Sequence, residues 1–199
     1  MAADERSSTY VRRLPIGERL PLGDLLEDSL FPFEGEIRMR PLEAPIVPEP
    51  GRYGEDAADC GLCASDHEHT IWQGERWRVQ SRAEPHGLPM VAVLLPVAHH
   101  DLEDLPPDLA AELGSMVVRV ARAIRSLDSV GRVHVARWGD GSYHAHVWFL
   151  ARPRGMWQMR GAMLAIWDDL LPRMPEDEWL ANRHALAAAL AAYDGAALV

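Results

Sequence analysis

Residues 141–150 read "GSYHAHVWFL". Along an extended strand, successive side chains point to opposite faces. That alternation puts His144, His146 and Trp148 on one face and Ala145, Val147 and Phe149 on the other, which is the apolar one. The stretch predicts the second arm of a β-hairpin. Its first arm is "RVHVARW" (132–138), and "GDGS" (139–142) makes the turn. Two imidazoles presented together from a rigid strand suit metal ligation, phosphate binding or nucleophilic attack. The plain alternative is a pair of half-exposed histidines on a sheet surface.

Upstream of the hairpin, Leu109, Leu113, Val117, Val120, Ile124 and Leu127 recur at helical spacing, and Pro106 and Pro107 mark the helix start. Earlier still, "PMVAVLLP" (89–96) reads as a buried strand, and "TIWQGERWRVQS" (70–81) as two short strands around Gln73-Gly74. Downstream, "WQMRGAMLAIWDDLL" (157–171) and "EDEWLANRHALAAALAAY" (176–193) read as helices, the second opened by Pro175 and acidic residues. Residues 1–55 are rich in Pro and charge and read as a partly irregular N-terminal extension, with a short helix at "LGDLLEDSL" (22–30). The organisation expected is thus an extension over 1–55, a domain over 56–155, and a C-terminal helical segment over 156–199 that packs on the domain or on a dimer partner.

The chain has 199 residues, a formal net charge of -10 and no lysine. The acidic balance argues against a nucleic-acid polymer or an anionic membrane as partner. Lack of lysine removes Schiff-base chemistry and the P-loop lysine. Residues 115–161 run the other way, with eight arginines (119, 122, 125, 132, 137, 152, 154 and 160) against Asp128 and Asp140. Such a region suits a small anionic ligand such as phosphate, or is simply a solvated helix face with scattered surface arginines. No apolar run has the length of a membrane span, and "MAADERSSTYVRRLP" has no apolar signal core, so the expectation is a cytoplasmic protein.

Cys60 and Cys63 are the only cysteines. Their two-residue separation lets both thiolates reach one metal, and a redox pair is the alternative. The remaining ligands would be histidines. One candidate set is local, His67 and His69. The other is long range: His99 or His100, just after the "VAVLLP" strand, with His144.

The segment "MVAVLLPVAHHDLEDLPPDLAAEL" followed by "GSYHAHVWFL" resembles the histidine triad (HIT) superfamily of nucleotide hydrolases and transferases, over roughly residues 58–155. The Cys-x-x-Cys upstream resembles the zinc-bearing branch that includes galactose-1-phosphate uridylyltransferase. The resemblance implies an α+β fold with an antiparallel sheet and a main helix, in a homodimer, and the additional C-terminal helices read from the residues lie outside it. It implies a structural zinc held by Cys60, Cys63, His99 and His144, with His100 as substitute for His99. His146 falls at the position of the nucleophile, which attacks the α-phosphorus of a nucleotide or nucleotide conjugate and forms a nucleotidyl-histidine. Ser142 and the backbone amides of "GDGS", together with Arg137, Arg152 or Arg154, are candidate contacts to the phosphoryl oxygens.

Trp148 stands at the third motif position, where hydrolases of the superfamily carry His and the uridylyltransferase branch carries Gln. Indole donates one hydrogen bond and accepts no proton, so it contacts substrate without serving as its acid. Arg137 falls about where nucleotide-binding members often have Asn. Trp138, Trp157 and Trp167 are residues for the core or for stacking on a base. The expectation is a hydrolase or nucleotidyltransferase; the alternatives are a non-catalytic nucleotide-binding or scaffolding protein on the same fold, and a zinc-stabilised structural module.

Overall fold

The computed structural model describes residues 15–19, 32–33, 35, 37–38, 40–64 and 69–199. It divides into two compact units, Met1–Gly51 and Arg52–Val199. The described parts of the first unit contain no regular element beyond a turn at Ile16–Gly17. The helix expected at 22–30 lies outside the described residues.

The second unit is an α+β fold. Its six strands are β1 (Thr70–Gln73), β2 (Trp77–Ser81), β3 (Val91–Pro96), β4 (Val130–Ala136), β5 (Val147–Pro153) and β6 (Ala196–Ala197). They form one sheet in the order β4-β5-β3-β2-β1-β6, with every neighbouring pair antiparallel. The helices are α1 (Gly61–Ala64), α2 (Pro107–Arg125), α3 (Leu164–Leu170) and α4 (Glu176–Ala191).

The pleat of β5 sorts its side chains as the sequence requires. Phe149 and Ala151 enter the main core, with Val147 packed against it; Leu150 enters a second cluster on the opposite face, with Trp148 packed there. The main core lies under α2 and α4. From α2 come Leu109, Met116, Val120, Ala123 and Ile124, and from α4 Leu186, Ala187 and Leu190. Each large side chain so buried stabilises the fold by about 1.5–3 kcal/mol before entropy is counted. The helical stripe read from the sequence is therefore the buried one, with Met116 added to it. The other sheet face meets α3 at one end through Leu88, Val91, Leu150, Met159 and Leu164. The rest of that face is open and forms the floor of a cleft.

Three local readings need correction. First, β5 begins at Val147, so His144 and His146 lie in its lead-in, and residues 137–146 connect the hairpin arms where a tight turn was expected. The backbone polar groups there are taken by other partners. Tyr53 N–H donates to Gly141 O, Tyr143 N–H to Tyr53 O, and Ala145 N–H to His100 O. A backbone group so satisfied is not available to the β4 ladder. Second, the helix expected over 157–171 starts only at Leu164, after a 3-10 turn at Gly161–Met163. Gly161 has φ 70°, in the left-handed region, which breaks the helix there. Third, the chain returns after α4 as β6 beside β1. Gly195, at φ 71°, passes so close that a Cβ would stand 2.5 Å from Gln73 O.

Candidate functional site

Four ligating residues converge where three segments meet. A single helical turn brings Cys60 and Cys63 together, with Cys63 N–H and Ala64 N–H both donating to Cys60 O. His99 follows the end of β3, and His144 precedes β5. Cys60 Sγ lies 3.5 Å from His144 Nδ1; Cys63 Sγ lies 3.4 Å from His144 Nδ1 and 3.3 Å from His99 Nδ1. The four ligand atoms all lie within 4.8 Å of one another. A tetrahedral zinc with its usual bond lengths holds sulfur and nitrogen about 3.5 Å apart. The donor set therefore fits a structural zinc.

The surroundings suit that ion. His144 Nε2 lies 3.0 Å from Pro96 O, so the ring's N–H donates there and Nδ1 is left with its lone pair toward the sulfurs. Burial holds the His144 imidazole below its ordinary pKa against the pull of Pro96 O, and Arg78, His99 and His146 add to the depression. The ring is thus neutral near pH 7, as a ligand must be. Burial and the neighbouring Cys60 push the Cys63 thiol up to about 11, with Arg78 opposing. Arg78 is buried and donates from Nη2 to Leu62 O inside the Cys-x-x-Cys turn. Of the two ligand sets left open by the sequence, the long-range one is assembled. His100 is outside it, its carbonyl holding Ala145; His69 lines the cleft instead, and His67 lies outside the described residues.

Beside the metal set runs a cleft of about 880 Å³, floored by Val91, Val93 and Leu95 of β3. His146, Trp148 and Ser142 line one end of it. His146 is 8% exposed and has a carbonyl at each ring nitrogen, with Nδ1 2.7 Å from His144 O and Nε2 2.7 Å from Trp138 O. A neutral imidazole has one N–H and can donate to only one of these oxygens. Its ring stands edge-on to Trp148, with centroids 6.4 Å apart at 87°. Ser142 Oγ is buried without a partner among the described residues.

Two arginines read in the sequence as phosphate contacts are committed elsewhere. Arg137 is bound to Asp101 at 2.5 Å, and Arg152 donates to the carbonyls of Pro153 and Met156; neither lines the cleft. Arg154 does not line it either. The tryptophans divide as well: Trp157 and Trp138 are exposed, whereas Trp167 packs against the second cluster.

The far end of the cleft is built by residues that carry no motif. Asp168 of α3 accepts from the Leu88 amide at 2.9 Å, faces His86 Nδ1 at 3.1 Å and pairs with Arg82 at 3.4 Å. Burial works against the Asp168 charge, but His86, the Leu88 amide and Arg82 prevail and hold its carboxyl below the ordinary range. Arg173 and Glu84 close the rim at 2.6 Å. Nothing in the local spacing of 82–88 or 164–173 announces this network, because its partners lie 80 or more residues apart.

No protein-family model matches the chain, and no curated protein does either. Solved structures do resemble it. One is a Zn-bound histidine triad family protein from Mycobacterium smegmatis, 24% identical, covering 69% of this chain and 97% of its own at a TM-score of 0.49. Another is a hypothetical histidine triad nucleotide-binding protein from Sulfolobus tokodaii, 17% identical, covering 67% and 93% at 0.48. A third is a HIT family hydrolase from Legionella pneumophila, 17% identical, covering 49% and 96% at 0.39.

Proposed function

We propose that this chain is a zinc-containing protein of the histidine triad type that hydrolyses or transfers a nucleotidyl group. The observation that carries this reading is the seating of His146. It faces an 880 Å³ cleft, its Nδ1 is oriented by the carbonyl of His144, and His144 itself belongs to the Cys60–Cys63–His99 set. Cys60, Cys63, His99 and His144 would hold zinc, which when bound would supply a cross-link between the Cys-x-x-Cys turn, the end of β3 and the segment that carries the nucleophile, and no chemical step.

In this reading Nδ1–H of His146 donates to His144 O, and the lone pair of Nε2 attacks the α-phosphorus. The new N–P bond forms as the bond from phosphorus to the leaving oxygen breaks, and the leaving group takes the electron pair. Water, losing its proton to solvent, or a second phosphate then attacks the same phosphorus, and the N–P bond breaks so that the ring recovers its lone pair. Ser142 Oγ, buried and unpartnered at the cleft, is positioned to donate to a phosphoryl oxygen. Trp148 lines the same wall and offers a face to substrate, but its indole cannot protonate the leaving atom. The leaving group must therefore be stable as an anion. Phosphoanhydrides, such as dinucleoside polyphosphates and nucleotide sugars, meet that condition, whereas a phosphoramidate must first be protonated.

The test is nucleotide release from these three substrate classes, with wild type beside His146→Ala. Turnover of the anhydrides by wild type, and a loss of about 10⁴-fold or more in the variant at unchanged zinc content, is the expected result. Equal turnover by both sinks the assignment of His146. A second reading, a nucleotide-binding protein without turnover, draws on Trp148 and on the covered Nε2. Binding without release by a folded, zinc-loaded wild type would establish it. A homodimer belongs to the first reading, and light scattering in solution tests it.

A further inference from the structure

The Nε2 of His146 is covered by the chain itself. Trp138 O stands 2.7 Å from it, inside the ~3–3.5 Å at which a reacting atom would have to sit. Phosphorus and the Trp138 carbonyl cannot occupy that place together. Residues 137–141 must therefore move before His146 can react.

What holds this segment is a buried ionic knot. Asp101 is fully buried and takes Arg137 Nη2 on Oδ1 at 2.5 Å and Arg52 Nη1 on Oδ2 at 2.6 Å. The same Arg52 nitrogen also donates to Gly139 O at 3.0 Å, and Tyr53 N–H donates to Gly141 O at 3.2 Å. Both arginines are partly exposed, at 21% and 26%, so water reaches the knot from its cationic side. Arg137 Nε has no partner among the described residues, so the guanidinium is held at its far end alone. Trp138, which carries the covering carbonyl, is 49% exposed, and its ring stands edge-on to Trp148 with 6.0 Å between centroids. A segment with a firm anchor at Asp101 and little packing of its own has the build of a part that opens locally.

We propose that residues 137–141 form a latch over the nucleophile, closed where the Trp138 carbonyl accepts from Nε2–H and opened as the ring takes the tautomer in which Nδ1–H donates to His144 O, and that Asp101 sets the latch through Arg137 and Arg52. Asp101 touches no reacting atom in this scheme and is a positioning residue. The latch keeps Nε2 from water and from adventitious electrophiles until a ligand entering the cleft displaces the carbonyl. The proposal takes His146 as the reactive residue of the preceding section, but it can be tested without turnover.

Diethyl pyrocarbonate, which acylates accessible imidazole nitrogens, is the probe, with sites resolved by peptide mass spectrometry on the full-length, zinc-loaded protein. His184, exposed on α4, is the internal reference. Two variants loosen the latch by different routes. Arg137→Gln removes the ion pair. Gly139→Ala leaves every charge in place, but its new Cβ would fall 1.9 Å from Arg137 Nη1 and push that flexible guanidinium off Asp101. In wild type His146 should react far more slowly than His184. In both variants its rate relative to His184 should rise about tenfold, the scale of one lost charge-assisted hydrogen bond. The half-buried His69, which lines the same cleft, should keep its wild-type rate, whereas a merely loosened fold would raise it too. A His146 rate unchanged in either folded, zinc-loaded variant overturns the latch, as does wild-type His146 reacting as fast as His184. Failure to find a substrate leaves this measurement intact, so the two readings fail separately.

Discussion

Single side chains set the character of the metal centre. Arg78 is 5% exposed, its Nε has no partner among the described residues, and its charge acts on the neighbouring Cys63 thiol. A buried guanidinium without a counter-charge is strongly unfavourable. Thiolates on zinc supply that counter-charge, and Arg78 in turn fixes their turn through Leu62 O. Arg78→Met should therefore weaken zinc binding by about 10–100-fold, the usual scale for an outer partner of a metal ligand. Competition with a colorimetric chelator measures it, and unchanged affinity in a folded variant would count against this role. Zinc must also displace the proton that burial and Cys60 hold on Cys63, whose pKa stands at about 11. Zinc affinity should accordingly rise with pH across the neutral range and fall in acid. The cysteine pair was legible because Cys-x-x-Cys is a local pattern, whereas His99 and His144 are far apart in sequence and were singled out only through the family resemblance. Residues such as Arg78 and Asp101 were not, because their roles come from what folds against them.

At the scale of elements, the docking of α3 shapes the far end of the cleft. Gly87 passes so near that a Cβ would meet Asp168 O and Leu171 Cβ, both at 2.6 Å. Gly87→Ala should therefore push α3 off the sheet face and lower stability by about 1–3 kcal/mol, read from urea unfolding. Asp168 provides an independent check through pH. Its carboxyl lies below the ordinary value in the folded state, burial opposing and His86, the Leu88 amide and Arg82 prevailing. A depressed folded pKa stabilises above the unfolded value, ~3.9, and that stability is lost as pH falls through the folded value. Wild type should thus lose stability in acid more steeply than Asp168→Asn, which starts lower at pH 7; parallel profiles would contradict it. The helix α2 could be read from its apolar periodicity, β3 from its continuous apolar run, and α4 from Pro175 and the acidic residues at its start. The late start of β5 could not, because it depends on Tyr53 and His100 taking backbone bonds from a distance. Nor could β6, a two-residue strand with no pattern to read.

For the molecule as a whole, the metal centre joins positions 84 residues apart in sequence, Cys60 and His144. It binds the approach to the sheet to the segment leading into β5. Stripping zinc with a chelator should lower the thermal midpoint and free His146 from its orientation, with both effects reversed by added zinc. Among the described residues no helix is long and apolar enough to cross a membrane. The open face of the sheet carries the cleft, with His146 at one end of it. In the proposed function His146 takes the nucleotidyl group. Mass spectrometry of protein quenched in alkali during turnover of a dinucleoside polyphosphate tests it most directly, since a phosphorus–nitrogen bond to histidine survives base. The account predicts a nucleoside monophosphate adduct on His146, absent from His146→Ala. Turnover with no adduct on His146, or an adduct on another residue, would contradict it.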